Sequence, residues 1–240
     1  MKKYWQNLLY YNHPLTKLER ERKRCIEKFN YPEYLFSILN SKLPDLNTDI
    51  KDLSFLVIDF ETTGLNSLID NILSIATTPI DNLTIHLSGA KHIFIENSSV
   101  KEETAVINHI VPQMLTDGSS LDYAMNELFK LMEKRILIAH GSSIEKRFIL
   151  HYLSIKYNLT KFPLLWIDTL KIERSFQTQT EQVIPDYQLS TIRKKYQLPE
   201  YITHNALIDT ISTGEVFLAQ LHHLFGNKKK TLGEIYKRSV

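Results

Sequence analysis

Cysteine is almost absent: Cys25 is the only one in 240 residues. No disulfide can form within the chain, and a thiolate zinc site is argued against. Charge of one sign is also lacking, since 29 Lys and Arg stand against 27 Asp and Glu for a formal net charge of +2. That argues against a polybasic protein gripping nucleic acid by bulk charge, so any anionic partner must be met locally. No apolar run reaches the length of a membrane span. The opening MKKYWQNLLYYNH mixes Asn and Gln among its apolar residues and lacks the core of a signal peptide. There is no internal repeat. A soluble cytoplasmic protein without membrane association is expected.

What is present describes a folded chain. The hydrophobic fraction of 43% and charged fraction of 23% are ordinary, and the length suits one domain with an appendage. Residues 1–50 read as a helical N-terminal extension broken at Pro32 and Pro44. Its run LERERKRCIEK is read as a solvated helix with Glu and Arg or Lys at pairing distance, with a phosphate-binding face as the alternative. Trp5, Leu8 and Leu9 are expected to pack this extension onto the body. From residue 53, LSFLVIDF, NILSIATTPI and LTIHLSGAKHIFIE form three strands of an antiparallel meander. SLDYAMNELFKLME is a helix, RILIA a buried strand, and IEKRFILHYLSIKYN a helix with Ile144, Phe148, Leu150 and Tyr152 near one side. LLWIDTL is a last strand running into a helix, SFQTQTEQVIPDY a surface loop, and LSTIRKKYQL and DTISTGEVFLAQLHHLF closing helices. The order gives an α/β protein, a mixed sheet flanked by helices over residues 51–227, followed by a basic C-terminal tail at 228–240, with the run NKKKTLGEIYKR read as solvated and contact with a nucleic-acid backbone as the alternative.

Within VIDFETTGL, Asp59 and Glu61 project to the same side of a strand's end, where two like charges repel unless a cation joins them. A bare D-x-E also reads as a turn-forming pair held by backbone N–H groups. Thr62, Thr63 and Gly64 add hydroxyls and a close backbone approach, as in a turn built to hold a ligand. Two other places carry matching chemistry. AHGSSIEKRF puts His140 near a strand end and Glu145 in the first turn of a helix, and HNALID sets His204 five residues before Asp209.

In order and spacing, DFETTG, AHGSSIE and HNALID resemble the three motifs of the DnaQ-like, or DEDDh, 3′-to-5′ exonucleases. The resemblance spans about residues 53–225. It implies a ribonuclease H-like fold with a mixed five-stranded sheet, and makes residues 51–227 the exonuclease domain. Asp59, Glu61 and Asp209 match the family's metal ligands, and His204 matches its general base. Glu145 falls where the family usually has Asp, and Gly141 where it has Asn. His140 and Thr62 to Leu65 are implied to hold the substrate, with Leu65 wedged against the terminal base.

Oxygen-only ligands favour Mg²⁺ or Mn²⁺ over zinc. Two such ions would activate a water and stabilise the leaving 3′ oxygen, with the carboxylates of Asp59, Glu61, Glu145 and Asp209 as ligands. As the matched general base, His204 would take the proton from the attacking water. The expected reaction is metal-dependent release of nucleoside monophosphates from single-stranded DNA or RNA 3′ ends, in repair, proofreading or trimming. The alternative is a non-catalytic nucleic-acid-binding or polymerase-accessory module of the same fold. QLHHLF at 220–225 has a faint likeness to sliding-clamp peptides and otherwise reads as helix core through Leu221, Leu224 and Phe225.

Overall fold

The computed structural model describes residues 11–96, 112–177, 186–202 and 204–240. Helix α1 (Pro14–Lys28) begins on a proline, which has no N–H to leave unsatisfied, while His13 Nδ1 accepts the Leu15 N–H at 3.1 Å. Helix α2 (Glu33–Asn40) follows Pro32. The charge run is less solvated than its sequence suggests. Lys23 and Glu19 do pair at 3.1 Å on the surface. Arg22, however, is buried and donates to the carbonyl oxygens of Ile38, Leu39 and Ser41. Those carbonyls end α2 and have no helical partner of their own. Trp5, Leu8 and Leu9 lie outside the described residues.

Strands β1 (Ser54–Thr62) and β2 (Ile72–Asp81) pair antiparallel. The third expected strand is interrupted by a tight helical turn at Leu87–Gly89, giving β3 (Thr84–Ile85) and β4 (Lys91–Phe94), both antiparallel to β2. Helices α3 (Pro112–Thr116) and α4 (Leu121–Met132) precede β5 (Ile136–Ala139), which runs parallel to β1. Helix α5 (Ser143–Tyr157) leads to β6 (Trp166–Asp168), parallel to β5. The rest is helical: α6 (Thr169–Arg174), α7 (Leu189–Lys195), α8 (Ala206–Phe225) and α9 (Leu232–Arg238). The sheet is mixed and ordered β3-β2-β1-β5-β6 with β4 on β2, six strands because the third stretch breaks in two. The buried face of α5 is Glu145, Phe148, Ile149, Tyr152 and Leu153, with Leu150 only half-buried. Most of the loop expected over 175–187 lies outside the described residues.

Alternation along β1 places the chemistry. Leu56, Ile58 and Phe60 join the apolar cluster under α4 and α5, whereas Phe55 and Val57 join the one under α8 and α9. Asp59 and Glu61 continue the second row. Each fully buried apolar side chain contributes roughly 2 kcal/mol, which fixes the register and keeps the carboxylates on that face. Helix α8 lies close to the sheet because its buried residues there are small: Thr210, Ser212, Thr213 and Gly214. A Cβ on Gly214 would stand 3.3 Å from Ile80 and Ile85 side-chain atoms. Thr210 and Thr78 hydroxyls, 2.7 Å apart, tie α8 to β2.

The C-terminal segment departs from the solvated tail expected for it. Leu232, Ile235 and Tyr236 of α9 are buried in the α8-side cluster. Ile50 N–H donates to Lys230 O at 2.9 Å, Leu232 N–H to Thr48 O at 3.0 Å and Gly233 N–H to Leu46 O at 2.8 Å. Backbone pairing across some 180 residues of sequence was invisible to local composition.

Candidate active site

The pairing of β1 with β2 is regular up to Glu61 opposite Ser74, then slips by one residue before Thr62 meets Ile72. Such a bulge bends the strand where it leaves the core. The loop beyond it closes on Asp70. Thr63 Oγ1 donates to Asp70 Oδ1 at 3.1 Å and accepts the Asn71 N–H at 3.0 Å, while Asn66 N–H donates to Asp70 Oδ2 at 2.8 Å. Thr62 Oγ1 donates to Gly64 O at 2.7 Å. A Cβ at Gly64 would lie 2.6 Å from Asp70 Oδ2, so glycine is what lets the loop fold this tightly. Leu65, Leu68 and Ile69 on this loop are exposed at 64%, 74% and 78%, an apolar rim on an otherwise polar turn.

The first turn of α8 supplies the third carboxylate. Asn205 caps the helix, its side-chain oxygen accepting the Ile208 N–H at 3.2 Å. His204 before it has a left-handed backbone (φ +63°), an exposed position, and an N–H that donates to Asp209 Oδ2 at 3.1 Å. One carboxylate oxygen each from Asp59, Glu61 and Asp209 lie within 4.8 Å of one another. Two come from one strand end and one from a helix about 150 residues later.

Glu145 stands outside that triple but close enough for its charge to act on Asp59. It is nearly fully buried in the first turn of α5. The turn that carries it is held by Asp168, whose buried carboxylate accepts Gly141 N–H at 3.1 Å, Ser142 N–H at 2.9 Å and Ser142 Oγ–H at 2.9 Å. The same carboxylate caps α6 through Leu170 and Lys171 N–H at 3.1 and 3.3 Å. Asp168 was not singled out from sequence, although an aspartate between a strand and a helix carries a capping signal. That it also clamps a second turn has no local sequence signature.

His140 does not join the carboxylates. Its Nδ1 is 2.9 Å from Thr169 Oγ1 and its Nε2 2.8 Å from Tyr187 O, so both ring nitrogens are engaged by the protein. It ties the start of α6 to the segment before α7.

The four carboxylates are poorly suited to stand ionised alone. Burial first, then the charges of Glu145, Asp209 and Glu61, raises Asp59 well above the usual carboxylate range. Burial and Asp209 push Glu61 up to about 7, and burial pushes Glu145 up to about 8. Asp209 is also raised by burial, against hydrogen bonds from Asn205 and His204 N–H groups. Glu61 Oε1 and Glu145 Oε2 are buried without a hydrogen-bond partner among the described residues. Orphaned acceptors of this kind are costly. Converging carboxylates with unsatisfied oxygens fit a hard divalent cation, so Asp59, Glu61 and Asp209 could hold a metal ion.

Comparison with known proteins identifies the family and the fold. The RNase T family model, described as exonuclease, matches residues 56–217. The chain is 27% identical over 201 residues to the PolC-type DNA polymerase III of Staphylococcus epidermidis, covering 80% of this chain and 14% of that protein. It is 28% identical over 193 residues to its counterpart in Thermotoga maritima, covering 79% and 14%. It thus spans about one-seventh of the length of these relatives. Among solved structures it is similar to cell-death related nuclease 4, at TM-score 0.57, 15% identity, and coverage of 74% of this chain and 66% of that one. E. coli Exonuclease I in complex with a dT13 oligonucleotide gives TM-score 0.56, 15% identity and coverage of 71% and 41%. Exonuclease X in complex with 5′ overhanging duplex DNA gives 0.55, 19%, and 76% and 99%. At these identities the structural likeness is one of fold, the ribonuclease H-like arrangement expected.

Proposed function

Because this chain belongs to the DnaQ-like RNase T exonuclease family, we propose that it hydrolyses single-stranded DNA or RNA from the 3′ end, releasing nucleoside monophosphates. The observation that carries the reading is the convergence of one carboxylate oxygen each from Asp59, Glu61 and Asp209 within 4.8 Å, with Glu61 Oε1 buried and unpaired among the described residues. Asp59, Glu61 and Asp209 would hold Mg²⁺ or Mn²⁺, two ions by the family pattern, with Glu145 supporting Asp59. Bound there, divalent cations supply charge to activate a water and to stabilise the departing 3′ oxygen.

The chain's own residues do the rest. His204, exposed beside Asp209, takes the proton of the attacking water. The left-handed backbone at His204 turns its N–H onto Asp209, linking the base to the carboxylate it serves. The Thr62–Leu65 turn receives the terminal nucleotide, and exposed Leu65 packs on its base. Contacts of this kind read sugar and stacking, so sequence selectivity is low. Asp168 acts as a positioning residue by holding the turn before Glu145. The similarity to polymerase III chains supports proofreading beside a polymerase as a setting for this activity.

The test uses single-stranded 20-mers of DNA and RNA carrying the label at either end, in Mg²⁺ or Mn²⁺. Labelled mononucleotide released first from the 3′-labelled strand is expected. Release from the 5′ end would refute the direction. No cleavage, together with no Mn²⁺ binding by calorimetry, would favour the non-catalytic module, whereas Mn²⁺ binding that vanishes in Asp59→Ala supports the enzyme.

A further inference from the structure

We propose that the groove formed by α6, the end of α8 and α9 is a phosphate-binding track for the nucleic-acid strand upstream of its 3′ end, an inference that rests on the function proposed above. The groove encloses about 890 Å³ and is lined by Lys171, Arg174, Lys228, Lys229, Lys237 and Arg238. All six are exposed, and none forms an ion pair with a described carboxylate. Nearby Lys195, by contrast, reaches Glu173 at 2.7 Å. Glu234 is the one acidic side chain in the lining, which also includes Val240, the last residue, and it accepts from Thr231 Oγ1 at 2.8 Å. Counting side chains, six cations against one carboxylate exceed the formal excess of +2 carried by the whole chain. The groove therefore carries a local positive excess on a nearly neutral protein.

Its cause is tertiary. Burial of Leu232, Ile235 and Tyr236 docks α9, and the docking brings Lys237 and Arg238 beside Lys171 and Arg174. Part of this charge offsets the carbonyl ends of α6, α8 and α9, yet Lys228 and Lys229 lie beyond the last turn of α8. The arginines are held in place. Arg238 donates to Ser175 Oγ at 3.2 Å and lies 5.8 Å from the Phe176 ring, and Arg174 lies 4.9 Å from the Tyr187 ring. Concave, unpaired and cationic, the surface suits a polyanion with charges spaced along a line.

Helix α8 relates this groove to the active site. Asp209 sits in its first turn and Phe225, in the groove, at its end. The rise between them is about 24 Å. With one phosphate per roughly 3.4 Å of a stacked strand, that is about seven nucleotides. The track would therefore be felt by long strands and not by trimers.

The experiment is fluorescence anisotropy of 5′-fluorescein dT20 and dT3 in EDTA, so that binding is read without catalysis. Wild type is compared with the triple variant Lys228→Gln, Lys229→Gln, Lys237→Gln, whose fold is checked by circular dichroism. Loss of three phosphate contacts predicts that the slope of log affinity against log salt for dT20 falls by about 2, and that affinity at 0.1 M KCl falls at least about ten-fold. The preference of wild type for dT20 over dT3 should collapse with it. An unchanged slope and affinity in a folded triple variant would overturn the track. So would displacement of dT20 by polyglutamate at equal charge concentration, which would assign the groove to an acidic protein. Failure of the exonuclease reading is separate: dT20 binding lost in the triple variant, with no hydrolysis by wild type in Mn²⁺, would retain the track and reject the enzyme.

Discussion

The metal-free protein should lose stability as pH rises, and beside Asp59, Glu61 and Asp209, Glu145 contributes to that loss. Its folded value is pushed up to about 8 from an ordinary 4.5 by burial. A carboxylate whose pKa is raised by folding binds more protons folded than unfolded. Its stabilisation is present below the unfolded value and is lost as pH climbs through the folded one. Between pH 5 and pH 8 this amounts to about 4 kcal/mol. For a chain of 240 residues that is roughly 10 °C of Tm. Half-buried histidines act the other way. Burial lowers His13, His92 and His140, so they add stability as pH rises towards their unfolded value. Comparing wild type with Glu145→Gln cancels them. Calorimetry in EDTA from pH 5 to 8.5 should show wild-type Tm falling about 10 °C further than that of the variant. Mn²⁺ should restore wild type more at pH 8 than at pH 5, because only the ionised carboxylates gain from it. Parallel curves for the two proteins, or a wild-type Tm that climbs relative to the variant, would refute the electrostatic account of the site.

Three further outcomes follow from named contacts. Asp168→Ala strands five donors that now converge on one carboxylate and should cost about 4 kcal/mol in urea unfolding. Asp168→Asn should cost about half as much and weaken Mn²⁺ affinity through the displaced Glu145 turn. Gly64→Ala drives a methyl to 2.6 Å from Asp70 Oδ2 and should destabilise by about 1–3 kcal/mol. Combined with Asp70→Ala, its effect on Tm should be less than additive. His204→Asn keeps a residue tolerant of the left-handed backbone and should lower kcat by about 10²–10⁴ with Tm unchanged; equal kcat in the two proteins would remove His204 from the reaction.

Much of this could be read along the chain because it is local information. The alternation in LSFLVIDFE fixed which side of β1 carries Asp59 and Glu61, and the helical spacing around Met125 and Leu128 identified α4. Where the reading was incomplete, the deciding partner is distant. The basic C-terminal residues looked like a solvated tail, since nothing near them reveals that Leu46 and Thr48 supply backbone acceptors for α9. Arg22 looked like one more surface charge, since the α2 carbonyls it satisfies lie 16 to 19 positions away. LTIHLSGAKHIFIE reads as one strand, but both its halves must pair with β2, which requires a turn at Leu87–Gly89.

The same division runs through the site. By itself the sequence determined the residue types, their order and the strand and helix ends that carry them, because period and capping are properties of a few neighbouring residues. Only the tertiary structure decided that Asp59, Glu61 and Asp209 converge, that Glu145 stands apart from them on a turn clamped by Asp168, and that six cations share one groove. Convergence requires closing loops of up to 150 residues. The small buried face of α8 and the docking of α9 supply the contacts that close them.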